Sequence, residues 1–276
     1  MTIAVVFDSA GTLLRTYRIV KDIVHEILLH NIETTMLTSS SRERVLVVLH
    51  THSRDIIAAD PDMLLSRYLT ENNIGFGIAC AGRVITAGEV GDLLYADTYA
   101  RMRDLQECTR EVWAHCRQES TVVMNSGAIL NFRLGGVEFA VTTGGRPFDG
   151  AKDTITELHR RGIATYIASG DRGVKLEKIA DYLGIPANHV YGIATPSIKA
   201  QIVRDLKRDY TTVVMVGDGV NDIPALREAD VAILSLQQGG EKPPELFEAA
   251  DYTIRTVTEV CGIVGKIGEQ EFQNPV

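Results

Sequence analysis

Ile3-Ala4-Val5-Val6-Phe7-Asp8-Ser9-Ala10-Gly11-Thr12 is the stretch whose reading decides the fold. The apolar run Ile3 to Phe7 is too short for a helix and reads as a buried strand. It ends on a carboxylate, and Gly11 then lets the backbone turn sharply. A strand that delivers one Asp to the C-terminal edge of a sheet puts it where open α/β folds bind ligands. An Asp that merely caps a turn gives the same local pattern, so the weight falls on three later stretches.

From Asp149 onward, helices and short apolar runs alternate in the βαβ rhythm of a parallel sheet. A helix Ala151 to Arg161 precedes a strand Ile163 to Ala168, which ends in Ser169-Gly170-Asp171. There a hydroxyl and free backbone N–H groups at a helix start can hold an anion, and Asp171 reads as the N-cap. A helix from Val174 to Leu183 follows. A second, from Ser197 to about Arg208, carries Lys199 in its first turn. The strand Thr212 to Val216 ends in Gly217-Asp218-Gly219-Val220-Asn221-Asp222, two carboxylates four apart around glycines. Val231 to Leu234 and Tyr252 to Ile254 read as two further strands, and Glu241 to Leu246 as an irregular segment. A nucleophilic Asp, a second acidic pair, a hydroxyl and a lysine make a set suited to Mg²⁺-assisted phosphoryl transfer.

These four stretches, in this order, resemble the motifs of the haloacid dehalogenase-like superfamily. Val216 to Ile233 is especially similar to the phosphorylation domain of P-type ATPases and their soluble relatives, as is Arg146 to Asp171. The resemblance covers residues 1–16 and 146–276, and it implies a doubly wound parallel α/β (Rossmann-like) core. Residues 17–145 would be an inserted α/β cap. It further implies an aspartyl-phosphate at Asp8, with Lys199 as its catalytic partner. Mg²⁺ would be held by Asp8, the Ala10 carbonyl, Asp218 and Asp222. Phosphate would be held by Ser9, Gly11, Ser169, Gly170 and Lys199, with Asn221 orienting this shell. Asp171 matches the ATPase-like pattern rather than the plain phosphatase one.

Ala10 departs from the pattern. Phosphatases of the superfamily generally carry there an Asp that protonates the leaving group and later activates water; ATPase-like members have Thr. A methyl group does neither job, and loss of such a group typically costs 10²–10⁴-fold. The expectation is therefore a phosphohydrolase or phosphotransferase for a small phosphorylated substrate, with slow turnover. A second reading is a module that binds a phosphorylated ligand or becomes phosphorylated without efficient turnover. A third follows from phosphonoacetaldehyde hydrolases, which have Ala at this position and a cap lysine that forms a Schiff base. The lysine available between the first motif and Lys152 is Lys21.

Within 17–145, Arg15 to His30 carries Ile19, Val20, Ile23, Val24, Ile27 and Leu28 at helical spacing. Thr34 to Arg42 reads as a loop, Arg44 to Leu49 as a strand, and Asp60-Pro61 as a helix start. His52-Ser53-Arg54-Asp55 reads as a solvated loop. Ile74 to Cys80 reads as a strand with a Gly-rich connection to Gly91, and Asp97 to Arg117 as a helix. Around Gly135-Gly136, Leu130, Phe132 and Leu134 pair with Val137, Phe139 and Val141 as a hairpin. The facing of Glu119, Asn125 and Arg133 stays open. No adenine-binding signature is apparent in this block.

The net charge of −8 is spread without a long block of one sign, which argues against a nucleic-acid surface. Cys80, Cys108, Cys116 and Cys261 form neither a CxxC pair nor a zinc pattern and read as reduced thiols. No apolar run approaches the roughly 18 residues of a membrane span, so transport is not expected and the expected location is the cytoplasm. Oligomeric state is not legible.

Overall fold

The structure is a computed structural model describing residues 2–116, 123–170 and 173–273. The chain opens with β1 (Ile3–Phe7). There follow β2 (Leu14–Asp22), β3 (Ile27–His30), α1 (Thr34–Ser39), β4 (Arg44–Leu49), α2 (Ser53–Ala58), α3 (Leu65–Glu71) and β5 (Phe76–Ala81). Next come α4 (Ala87–Tyr95), α5 (Met102–Cys116), β6 (Val123–Asn131) and β7 (Gly136–Pro147). The remainder comprises α6 (Ala151–Arg160), β8 (Ala164–Ala168), α7 (Gly173–Leu183), β9 (Val190–Tyr191), α8 (Pro196–Leu206) and β10 (Thr212–Gly217). It closes with α9 (Ile223–Glu228), β11 (Val231–Ser235), α10 (Pro244–Glu248), β12 (Tyr252–Ile254) and α11 (Glu259–Gln273). Two compact units result: Met1–Thr16 with Arg146–Val276, and Tyr17–Gly145.

The first unit is a parallel sheet in the order β12-β11-β10-β1-β8-β9. β1 is buried along its whole length and pairs with β8 on one side and β10 on the other. A strand covered on both faces must be apolar throughout, which is why Ile3 to Phe7 is a continuous run rather than an alternation. From β1 the chain order runs outward in both directions, so a crevice opens between the C-terminal ends of β1 and β10, the topological switch point of a doubly wound sheet. Register at the far side is set by two aspartates. Asp230 Oδ2 accepts from Val213 N at 2.8 Å and Asp251 Oδ2 from Ala232 N at 2.8 Å, each extending the ladder just before β11 and β12.

The second unit is built on a sheet ordered β3-β2-β7-β6-β4-β5, and the pairs β2–β3, β4–β5, β4–β6 and β6–β7 are antiparallel. One face packs Val45, Val47, Leu130 and Val137 with Leu65, Leu69, Leu94, Met102 and Leu105 of the helices. The opposite face gathers Val20, Leu46, Ile129, Phe139 and Val141. Among the described residues no helix is long and apolar enough to cross a membrane.

The expected helix from Arg15 to His30 is instead the β2–β3 hairpin. Apolar doublets such as Ile19-Val20 fit a helical period, but they equally fit a strand buried on both faces, and here Ile19 and Val20 enter the two opposite cores. β-Branched residues favour the strand. Asp22 Oδ1 completes the turn by accepting from Val24 N and His25 N at 3.0 and 2.9 Å. Other differences are local. Asp60 caps a turn, and the helix begins five residues later at Leu65. Thr34–Ser39 and Ser53–Ala58 are short helices of six residues each. The glycines before Gly91 lie in and around α4, started by a Thr86–Glu89 capping box. A register shift between Ile129 and Leu130 sends Val137 and Phe139 to opposite faces, where alternation alone put them together. Arg117 and Glu119 lie outside the described residues.

Arg44 and Glu138 tie this sheet together. The guanidinium meets both carboxylate oxygens, Nε–Oε2 at 2.7 Å and Nη2–Oε1 at 2.5 Å, and Asn131 adds a third bond at 2.9 Å. Burial alone would raise Glu138, but the bonds from Arg44 and Asn131 outweigh it and hold the carboxyl below its usual value of 4.5. A depressed folded-state value adds stability above the unfolded value and loses it as pH falls below about 4.5. Glu138→Gln should therefore cost about 1–3 kcal/mol at pH 7 and flatten the acid limb of the unfolding curve. Urea titrations from pH 3 to pH 7 check both, and an unchanged acid limb would refute this role.

Candidate active site

Asp8 follows the last residue of β1, its N–H donating to Val216 O of the neighbouring strand at 2.8 Å. Lys199 comes from the first turn of α8, which Thr195 caps and Pro196 opens. Side chains on a helix lean toward its N-terminus, so Lys199 reaches back to the strand ends. Its ammonium bonds Asp8 Oδ1 at 2.6 Å and Asp222 Oδ1 at 2.7 Å and is 1% exposed. Asp222 Oδ2 accepts from Asp218 N and Gly219 N at 3.0 and 3.1 Å, which fixes the turn after β10. Gly217 ends that strand because a Cβ there would lie 2.6 Å from Asp222 Cβ. Gly11, at φ +75°, lies so close that a Cβ would sit 2.2 Å from Asp218 Oδ2.

Carboxylate oxygens of Asp8, Asp218 and Asp222 come within 4.8 Å of one another. Burial first and the charge of Asp222 second push the Asp8 carboxyl up to about 8, against the pull of Lys199. Burial alone would depress Lys199, yet Asp8 and Asp222 outweigh it and push the ammonium up to about 12. Burial acts on the two groups in opposite directions; what they share is a surplus of carboxylate charge over ammonium charge, which raises both. Three hard oxygen donors with a net negative charge fit a hard divalent cation such as Mg²⁺.

The other expected site residues fall around this centre. Ser169 is buried at the end of β8, donating through its N–H to Tyr191 O and accepting from Ala194 N. Gly170 is exposed beside it, and Asp171 lies outside the described residues. Ala10 is half-buried, forming a bridge with Leu14. Ser9 is fully buried, and its hydroxyl, like that of Thr12, finds no hydrogen-bond partner. Asn221 is exposed on the turn Val220–Asp222, lying over Gly219. Lys21 belongs to the other unit, where Glu107 binds its ammonium at 2.8 Å and holds it above its ordinary value, opposite to what an amine nucleophile requires.

Sequence reasoning read Glu241 to Leu246 only as an irregular segment and did not connect the end of β11 and the residues after it with this site. Ser235 Oγ donates to Gly11 O at 2.9 Å and Gln237 Nε2 to Thr12 O at 2.7 Å. Gln238 pairs with both backbone groups of Thr16 at 2.8 and 3.0 Å. Lys242 binds Asp218 Oδ2 at 2.9 Å and Asp218 O at 2.5 Å. Gln237-Gln238 and a lone lysine between Gly-Gly and Pro-Pro were the available signals.

Removing the buried ammonium should expose the carboxylate repulsion. Lys199→Met should cost about 3–5 kcal/mol in metal-free protein, and the double variant with Asp8→Asn distinctly less. Urea unfolding of the two singles and the double gives the coupling; additive losses would contradict shared charge as the cause.

With that geometry in place, the comparisons with known proteins are informative. The haloacid dehalogenase-like hydrolase family matches residues 4–230. The chain is 31% identical over 274 residues to a soluble P-type ATPase-like phosphatase of Methanocaldococcus jannaschii, covering 99% of this chain and 97% of that one. It is 35% identical over 104 residues to a probable copper-importing P-type ATPase A of Enterococcus hirae, covering 38% of this chain and only 14% of that one. A solved catalytic domain of the CPx-ATPase CopB-B is 16% identical at TM-score 0.47, covering 95% of this chain and 88% of that one. The match over residues 4–230 and the full-length relative together show that this chain belongs to the haloacid dehalogenase-like hydrolase family.

Proposed function

We propose that this chain is a Mg²⁺-dependent phosphohydrolase that works through an aspartyl-phosphate on Asp8, acting on a small phosphorylated substrate. The observation that carries the reading is the Asp8 carboxylate at the sheet's switch point, held by buried Lys199 within the Asp8–Asp218–Asp222 cluster. The phosphatase named among its full-length relatives supports it. Asp8, the Ala10 carbonyl, Asp218 and Asp222 would hold Mg²⁺, which supplies charge neutralisation of the phosphoryl oxygens when bound.

Lys199 pins Asp8 Oδ1, which presents Oδ2 to phosphorus. Attack forms the Asp8–phosphorus bond as the phosphorus–alkoxide bond breaks. Ser169, the Gly170 N–H and Lys199 hold the transferred group, with Ser9 and Gly11 in the adjoining turn and Asn221 at the rim. Water then attacks phosphorus, returning the Asp8 carboxylate and releasing phosphate and a proton. Ala10 can neither protonate the departing alkoxide nor take the proton from water, so substrates with good leaving groups react first and the phosphoenzyme persists. Residues 17–145 act as the cap that excludes water and selects the substrate.

Incubation with Mg²⁺ and acetyl phosphate should add one phosphoryl group to the intact mass, and Asp8→Asn should abolish it. Ala10→Asp should raise phosphate release from a chromogenic phosphoester by about 10²-fold or more. Absence of both adduct and turnover would favour a phospholigand-binding module instead.

A further inference from the structure

Two lysines divide the three carboxylates. Lys199 takes Asp8 and Asp222, and Lys242 takes Asp218 through both its side-chain Oδ2 and its main-chain oxygen. The Lys242–Asp218 pair is not a surface ornament, with side chains only 12% and 17% exposed. Lys242 rides on a connection whose two ends differ. On one side, Gln237 and Gln238 are fastened to Thr12, Thr16 and Val257. Between them and Lys242 lie Gly239, Gly240 and Glu241; both glycines take left-handed φ, at +79° and +82°, a Cβ on either would meet nothing within 4 Å, and Pro243 follows the lysine directly. The lysine thus follows a glycine pair, the residue type with the widest choice of backbone conformations.

We propose that Lys242 is a tethered counter-ion of the cation site: it occupies Asp218 while no metal is bound and is released when a divalent cation takes that carboxylate. The inference rests on the metal-dependent reading above. Charge supports the exchange. With all three carboxylates ionised, as in a metal-bound site, Asp8, Asp218 and Asp222 with both lysines in place sum to −1; a divalent cation in exchange for Lys242 brings the group to neutrality, whereas addition without release leaves +1 in a buried site. A cation must then compete with Lys242, and its apparent affinity is lowered by the fraction of molecules with Asp218 uncovered.

Calorimetric titration of Mg²⁺ into metal-free protein tests the competition, and amine labelling of Lys242 read by mass spectrometry tests the release. Lys242→Met should bind Mg²⁺ about tenfold more tightly than wild type, as expected where the covered form outnumbers the open one by about ten to one. Saturating Mg²⁺ should also raise the labelling rate of Lys242 in the wild-type protein several-fold, because an ion-paired ammonium is shielded until displaced. Equal affinities overturn the competition. Tighter binding by Lys242→Met with unchanged labelling in wild type overturns the release, leaving only the field of a nearby charge. If neither protein binds Mg²⁺, and Asp218→Asn likewise gives no heat, the metal-dependent reading itself falls and the inference with it.

Discussion

The buried ammonium of Lys199 is the constraint on which the rest of the site depends. Three carboxylates within 4.8 Å of one another cannot stay ionised in a water-poor crevice without cations among them. The lysine is placed by a helix start, Asp8 and Asp218 by strand ends and Asp222 by the turn after β10, so separate elements must converge before the charge is compensated. The sheet's order makes that convergence possible: β1 and β10 lie side by side although they come from opposite ends of the chain. The turn after β10 is then locked by Asp222 itself, which bonds the N–H groups of Asp218 and Gly219 as well as Lys199. One side chain therefore serves the backbone and the electrostatics at once.

The loop after β1 is held from a second direction. Ser235, Gln237 and Gln238 use side-chain groups to satisfy the main chain of Gly11, Thr12 and Thr16. This matters because the Ser9 and Thr12 hydroxyls are buried without partners, an unfavourable arrangement that needs support from its surroundings. A further irregularity is Ile193, a β-branched residue at φ 57°, immediately before Ala194, whose N–H binds Ser169 O. Backbone strain of this kind persists where neighbouring bonds over-determine the chain, and here it borders the expected phosphate loop.

The parallel sheet was legible in the sequence because strands buried on both faces are short continuous apolar runs ended by polar loops, and Asp8, Ser169 and Asp218 mark those ends. Lys199 was legible through its motif and its place one turn into a helix. The hairpin Leu14–His30 was not, since doublets such as Ile19-Val20 satisfy a helical period and a two-faced strand alike. What decided it was the Asp22 turn, a three-residue signal that a moment over sixteen residues hides. The register shift beside Ile129 is likewise invisible to alternation, because a bulge changes which face a residue takes without changing its type. Lys242 escaped for a different reason: its partner Asp218 is 24 residues away, and nothing local announces a long-range ion pair.

The position of β1 carries a consequence for biosynthesis. Ala4 pairs with Ala164 on one side and with Val213 on the other, so β1 is made well before either strand that it pairs with. At ribosomal speeds of about 5–20 residues per second, some ten seconds or more separate its emergence from its first pairing. During that interval an apolar, unpaired strand must wait while the whole antiparallel unit between is completed. The segment that carries Asp8 is thus made long before the two strands that cover its edges.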